Sequence, residues 1–161
     1  MITELSEYLR YSLVSRNYES VPLKDEMESV RHYLAVQKMR YENKLDVSLQ
    51  VDPAAEEYPV ASFFLHPIVE NAVKYGMSTS PLPLRIEVQA GVQDGVLRIE
   101  VINSGSWVEP SGPEKDPIVG RGLDNVRQRL AEAYPAKHRL EISGQEGSVC
   151  VRIVIGEGGG R

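Results

Sequence analysis

Apolar positions along the chain alternate between two periods, and the alternation lays out the elements. Leu5, Tyr8, Leu9 and Leu13 fall on one helical face, predicting a helix over 2–16 that breaks between Asn17 and Pro22. Leu23, Met27, Val30, Leu34 and Tyr41 mark the stripe of a second helix, from about Pro22 to Asn43. Asp25, Glu26 and Glu28 in its early turns, with Lys38, Arg40 and Lys44 near its end, complement the helix dipole. Leu45, Val47, Leu49 and Val51 alternate with polar residues and predict a half-buried strand. Residues 60–75 are mostly apolar at helical spacing and predict a third helix. Gly76 is its expected C-cap, and Pro67 either kinks it or starts its regular part.

Residues 84–90 and 96–102 read as two strands joined by a hairpin turn near Asp94-Gly95. From Asn103 to Arg121 the chain turns to Ser, Gly, Pro and charge, a loop long enough to imply function. Gly122 opens a helix to about Tyr134, Leu140 and Ile142 mark a short strand, and 149–155 form a last one. Residues 156–161 read as a frayed tail. Direct strand-to-strand links imply antiparallel pairing. The expected fold is therefore α+β: a two-layer sandwich with a mixed, mostly antiparallel sheet and helices on one face.

Composition narrows the chemistry. With 161 residues, a single domain can bury a core without metal or disulfide staples, and the one cysteine, Cys150, permits no internal disulfide. Lys+Arg of 18 against Asp+Glu of 23 gives a net charge of −5, which argues against a nucleic-acid partner. It leaves room for a single nucleotide, whose phosphates backbone N–H groups and Mg²⁺ can meet. No apolar run approaches the roughly 20 residues of a membrane span, and Met1 to Leu5 lacks the signature of a signal peptide. A cytoplasmic placement is expected.

Three stretches carry candidate chemistry. In 66–76, Glu70, Asn71 and Lys74 lie close on one helical surface. An Asn amide oxygen is a neutral ligand for Mg²⁺, and Lys is a point charge for phosphate. Read alone, the same residues also make a solvated Glu70–Lys74 pair. The second stretch, Val101 to Trp107 with Asn103-Ser104-Gly105 inside it, is a turn or a polar side chain presented at a strand end, with Gly allowing a ligand close approach. The third, Gly120-Arg121-Gly122-Leu123, leads glycines into a helix start, where free N–H groups favour anions. It matches neither a dinucleotide fingerprint nor a Walker loop.

In this order and spacing the three stretches resemble the ATP-binding domain shared by gyrase, Hsp90, histidine kinases and MutL. Within that group the chain is similar to sensor histidine kinases of the LytS/YehU type. The likeness rests on Leu5 to Leu13, Leu23 to Glu26, Tyr33-Leu34, Pro67 to Gly76 and Gly120 to Leu130, and spans about residues 5–155. It implies that Asn71 holds Mg²⁺ against ATP phosphates and that Lys74 and Tyr75 stand beside phosphate and adenine. It implies that Asn103 takes the place of an Asp accepting from the adenine amino group, followed by Gly105. Gly120, Gly122 and Leu123 then belong to the phosphate lid, and Ser148 stands where a Thr often holds adenine through water. Glu70 is a weaker candidate for orienting a phosphoryl acceptor.

Three departures from the family pattern stand out. Asn103 keeps an acceptor but loses the charge, Trp107 replaces a second glycine, and Pro67 stands where hydrolysing members carry a water-activating Glu. The family's phospho-accepting histidine lies in an upstream Pro-His-Phe segment that the chain lacks. His32 reads as a surface residue and His66 as packing, and nothing marks His138 as an acceptor. Arg127 and Arg129 either reach phosphate or form a solvated helix face. The expected organisation is the end of a dimerisation helix at 1–17, an ATP-binding domain at 18–155 and a flexible tail at 156–161. The resemblance implies transfer of the ATP γ-phosphoryl group to a histidine outside this stretch. The implied partners are the chain's own upstream dimerisation and acceptor region, a second copy and a response regulator, within a membrane-attached parent. The alternatives are a nucleotide-responsive pseudokinase or a hydrolysing ATPase.

Overall fold

The computed structural model describes residues 20–107, 121–145 and 147–156, with backbone alone at 121–125. The helix expected over 2–16, Gly120, and most of the expected lid lie outside these residues. A short strand β1 (Ser20–Pro22) leads into α1 (Leu23–Tyr41), a 3-10 turn and β2 (Leu45–Val51). Then come β3 (Pro59–Ala61), α2 (His66–Thr79), β4 (Leu84–Gln93), β5 (Val96–Ser104), α3 (Arg121–Ala133), β6 (His138–Gln145) and β7 (Ser148–Ile155). Five strands form one sheet in the order β2-β4-β5-β7-β6. Only β2 and β4 run parallel, joined by the crossover through α2; the other pairs are antiparallel. β1 and β3 form a separate antiparallel pair.

Period-2 patterning decides which face the helices cover. Leu84, Ile86, Val88 and Ala90 of β4 are buried while Arg85, Glu87 and Gln89 are exposed. Leu97, Ile99 and Val101 of β5 pair with Ile155, Ile153 and Val151 of β7, and all six join the core with Leu23, Met27, Val30 and Leu34 of α1. Asp94 and Gly95 both have positive φ, the backbone a two-residue hairpin turn needs.

The expected helix over 60–75 is corrected. Val60 and Ala61 belong to β3, and residues 62–65 form a turn before α2 starts at His66, with Pro67 in its first turn, where its missing N–H costs nothing. Gly76 is not a C-cap: α2 runs on to Thr79, and Ser80 caps it by donating its N–H to the Gly76 carbonyl. Gly76 serves packing instead, since a Cβ there would meet Leu84 Cδ1 at 2.5 Å. α1 ends at Tyr41, and β6 extends well beyond Leu140 and Ile142.

His66 is fully buried, shares a 2.6 Å hydrogen bond with Ser29 Oγ and stacks on Phe63 at 4.6 Å. Burial pushes its pKa down to about 3 from the ordinary 6.5. Below pH 6.5 the unfolded chain takes up a proton that the folded chain refuses, so stability falls as pH drops from 6.5 toward 3. From pH 7.5 to pH 5 the loss is about 2 kcal/mol. Urea unfolding at the two pH values measures it. The loss should shrink in His66→Gln, and an equal loss in that variant would assign it to other groups.

Candidate functional site

One cavity lies where α2 crosses the ends of β5 and β7. Ile68, Asn71, Ala72 and Tyr75, at helical spacing, give one wall from α2. Val101 and Asn103 of β5 with Val149 and Val151 of β7 form the floor, and Ser106 and Trp107 stand at the exit of β5. No Asp, Glu or His is among the described residues that line it.

Asn103 occupies the next inward position after Leu97, Ile99 and Val101, opposite Val149, so the strand's alternation delivers a polar side chain where the core pattern would place an apolar one. It is 5 % exposed, and its amide nitrogen donates to the Ser104 carbonyl at 2.8 Å. A carbonyl can only accept, so that contact fixes which end of the amide is NH₂. The amide oxygen is left as the acceptor.

The β5 exit is fastened on three sides. Ser104 Oγ shares a 2.6 Å hydrogen bond with Ser80 Oγ and accepts from the Arg85 N–H at 2.9 Å. Thr79 Oγ1 donates to the Tyr75 carbonyl at 2.8 Å and accepts from the Ser106 N–H at 3.0 Å. Gly105 donates to the Gly147 carbonyl at 3.0 Å; its φ of 114° and the closeness of Thr79 Oγ1 to any Cβ both require glycine. These anchors hold Ser106 and Trp107 at the cavity rim. Sequence reading missed Thr79 and Ser80 and gave Ser106 no role, because their roles appear only once the end of α2 meets the end of β5.

Of the residues singled out in the sequence, Asn71, Tyr75 and Asn103 come together at the cavity. Lys74 is exposed on the neighbouring helix face, and neither it nor Glu70 lines the cavity. Glu70 sits near α1, where its charge adds to burial, the larger cause, in raising the Tyr33 phenol above its usual range. Ser148 begins β7 opposite Ser104, beside the cavity rather than in it. Gly122 and Leu123 lie in the first turn of α3. Arg127 is exposed, whereas Arg129 turns inward and donates to the Ser62 carbonyl at 2.6 Å, so the idea that it reaches phosphate is replaced by a structural role. His32 lies 3.5 Å from Glu28, and His138 bonds the Tyr134 carbonyl at 2.8 Å; neither lines the cavity.

The profile of the family described as histidine kinase matches residues 1–45. The sensor histidine kinase YesM of Bacillus subtilis is 29 % identical over 155 residues, covering 96 % of this chain and 26 % of its own length. Sensor protein LytS of Bacillus anthracis is 24 % identical over 153 residues, covering 90 % and 26 %. The chain therefore spans about a quarter of the curated relatives it matches. The catalytic domain of histidine kinase ThkA, in a nucleotide-free form, superposes with a TM-score of 0.62 at 16 % identity, covering 86 % of this chain and 95 % of that one. This chain is similar to the sensor histidine kinases YesM and LytS, and its fold is that of a histidine kinase catalytic domain. Among the described residues no helix is long and apolar enough to cross a membrane.

Proposed function

We propose that this chain is the ATP-binding catalytic unit of a sensor histidine kinase. It would present the γ-phosphoryl group to a histidine outside the stretch, from which the group passes to an aspartate of a response regulator. The observation that carries the reading is the cavity itself: an α2 wall with Asn71 and Tyr75, a β-strand floor, and the Asn103 amide oxygen held as an acceptor suited to the adenine amino group.

The chain's residues mainly bind and orient, which is most of what phosphoryl transfer asks of a protein. The apolar floor of Val101, Val149 and Val151 suits a base, and Trp107 stands where it can pack on the base from the rim. Mg²⁺ suits this donor set: no cluster of three or more acidic, His or Cys ligands exists among the described residues, but Mg²⁺ needs only one or two protein ligands when phosphates complete its shell. Asn71 would hold it, and the ion would neutralise phosphate charge. Lys74, exposed one helix step away, would meet the phosphates at the mouth. No Asp, Glu or His is among the described residues that line the cavity, so no carboxylate or imidazole there is placed to activate water, which favours transfer over hydrolysis. Residues 1–17 are read as the end of a dimerisation helix, 18–155 as the catalytic unit and 156–161 as a tail. The upstream acceptor region, a second copy and a membrane-attached parent are the partners proposed for the whole protein.

Trp107 is the chain's one tryptophan, so its emission reports the cavity directly. Titration with ATP and Mg²⁺ should change that emission saturably at one site per chain. Labelled ATP should leave no acid-labile phosphate on His32, His66 or His138. Absence of binding, or stable label on one of those histidines, would overturn the reading.

A further inference from the structure

Glu26 is fully buried in the first turns of α1, and both oxygens of its carboxylate reach across to the turn before α2. One oxygen accepts from the Phe63 N–H at 2.9 Å and the other from the Leu65 N–H at 3.1 Å. Leu65 is the N-cap position of α2, whose own side chains supply no cap. The carboxylate therefore sits at the positive end of a neighbouring helix and satisfies N–H groups in the turn that leads into it.

That turn is held from two more directions. Ser29 of α1 bonds His66, the first residue of α2, at 2.6 Å. From α3, Arg129 donates to the Ser62 carbonyl at 2.6 Å, and just beyond that helix the Tyr134 hydroxyl accepts from the Ala61 N–H at 2.9 Å. Phe63 has φ of 59°, a left-handed backbone unfavourable for an aromatic residue, and is held there by the Glu26 contact and by stacking on His66. Burying a carboxylate costs several kcal/mol of desolvation, and an apolar side chain of similar volume often serves stability as well. The buried carboxyl is thus better explained by the geometry it fixes.

We propose that Glu26 is a positioning residue for the nucleotide cavity: it sets the first turn of α2 and, through that helix, the placement of Asn71 and Tyr75. The inference rests on the ATP-binding reading and names a residue outside the cavity that governs it. Asn71 lies six residues beyond Leu65, about 9 Å along the helix. A small change of tilt at the turn therefore moves the Asn71 amide relative to Asn103, which is fastened to β5.

The test compares Glu26→Gln with Leu97→Val, a core truncation on β5 at a position outside the turn and outside the cavity lining. Gln keeps the volume but offers one oxygen for two N–H groups. Thermal unfolding ranks the stability loss, calorimetry gives affinity for ATP with and without Mg²⁺, and hydrogen exchange reads the amides of residues 65–69. Glu26→Gln should weaken Mg²⁺–ATP binding about tenfold and speed exchange at 65–69. Leu97→Val should leave affinity within about twofold. Glu26→Asp, which keeps the charge but is one methylene short, should fall between wild type and Gln, and it decides the matter by the same criteria should Gln fail to fold. Glu26 variants that bind like wild type, or that weaken only in proportion to lost stability as Leu97→Val does, would overturn the proposal. A wild-type chain that binds no ATP would overturn the ATP reading and this inference together, a distinct result from Glu26 variants matching a wild type that binds.

Discussion

Asn103→Leu should reduce ATP and ADP affinity by about ten- to a hundredfold while leaving the fold intact. Leu has nearly the shape of Asn and suits a β5 position whose inward neighbours are Leu97, Ile99 and Val101. The Ser104 carbonyl would lose the 2.8 Å bond from the Asn103 amide, a local cost that falls equally on the empty and filled states. What changes with ligand is the acceptor. An adenine amino group buried against Leu leaves its donor unpaired, and an unmade hydrogen bond of that kind costs about 1–3 kcal/mol, or roughly tenfold per 1.4 kcal/mol. The carboxylate variant is less informative. Asn103→Asp offers a stronger, charged acceptor, but it sets an oxygen against the Ser104 carbonyl where the amide now donates. Calorimetry at fixed Mg²⁺ reads both. Wild-type affinity in Asn103→Leu would mean that the base is held elsewhere.

The chain's regular elements were legible where local period and local pairing agree. The β4–β5 hairpin follows from alternation on both sides of Asp94-Gly95, and that same alternation carries Asn103 inward. Helical spacing groups Asn71 with Glu70 and Lys74, whereas the cavity takes the face that Asn71 shares with Ile68, Ala72 and Tyr75. Residues 60–65 were misread because an apolar run fits helix and strand alike. The deciding partner of Val60 is Val21, far away in sequence. Gly76 was misread because its close neighbour, Leu84, lies on another element. Glu26 looked like an ordinary first-turn acid of α1, since nothing in the sequence says that its oxygens cross to the N-terminus of α2. What stayed hidden in each case is a contact between distant segments, and the positioning of the cavity depends on such contacts. Asn71 and Asn103, by contrast, were visible because each falls in a stretch whose order and spacing resemble a known ATP-binding domain.

Asn71→Ala should abolish most of the gain that Mg²⁺ gives to ATP binding and do little else. The position lies inside α2, half-buried on the cavity wall. Ala exceeds Asn in helix propensity by a few tenths of a kcal/mol, so the thermal midpoint should hold or rise slightly. The substitution removes one neutral oxygen and leaves Tyr75, Asn103 and the apolar floor in place. Contacts to the base are then unchanged, and affinity for ATP in chelator should stay within about twofold of wild type. With Mg²⁺ present, the ion keeps its phosphate and water ligands but loses its anchor to α2, and affinity should fall at least about tenfold, toward the metal-free value. The ratio of the two affinities is the quantity to compare, because any general loosening of the cavity cancels in it. A ratio as large in Asn71→Ala as in wild type would remove Asn71 from the metal's shell. A loss of equal size with and without Mg²⁺ would assign the residue to the walls of the cavity alone.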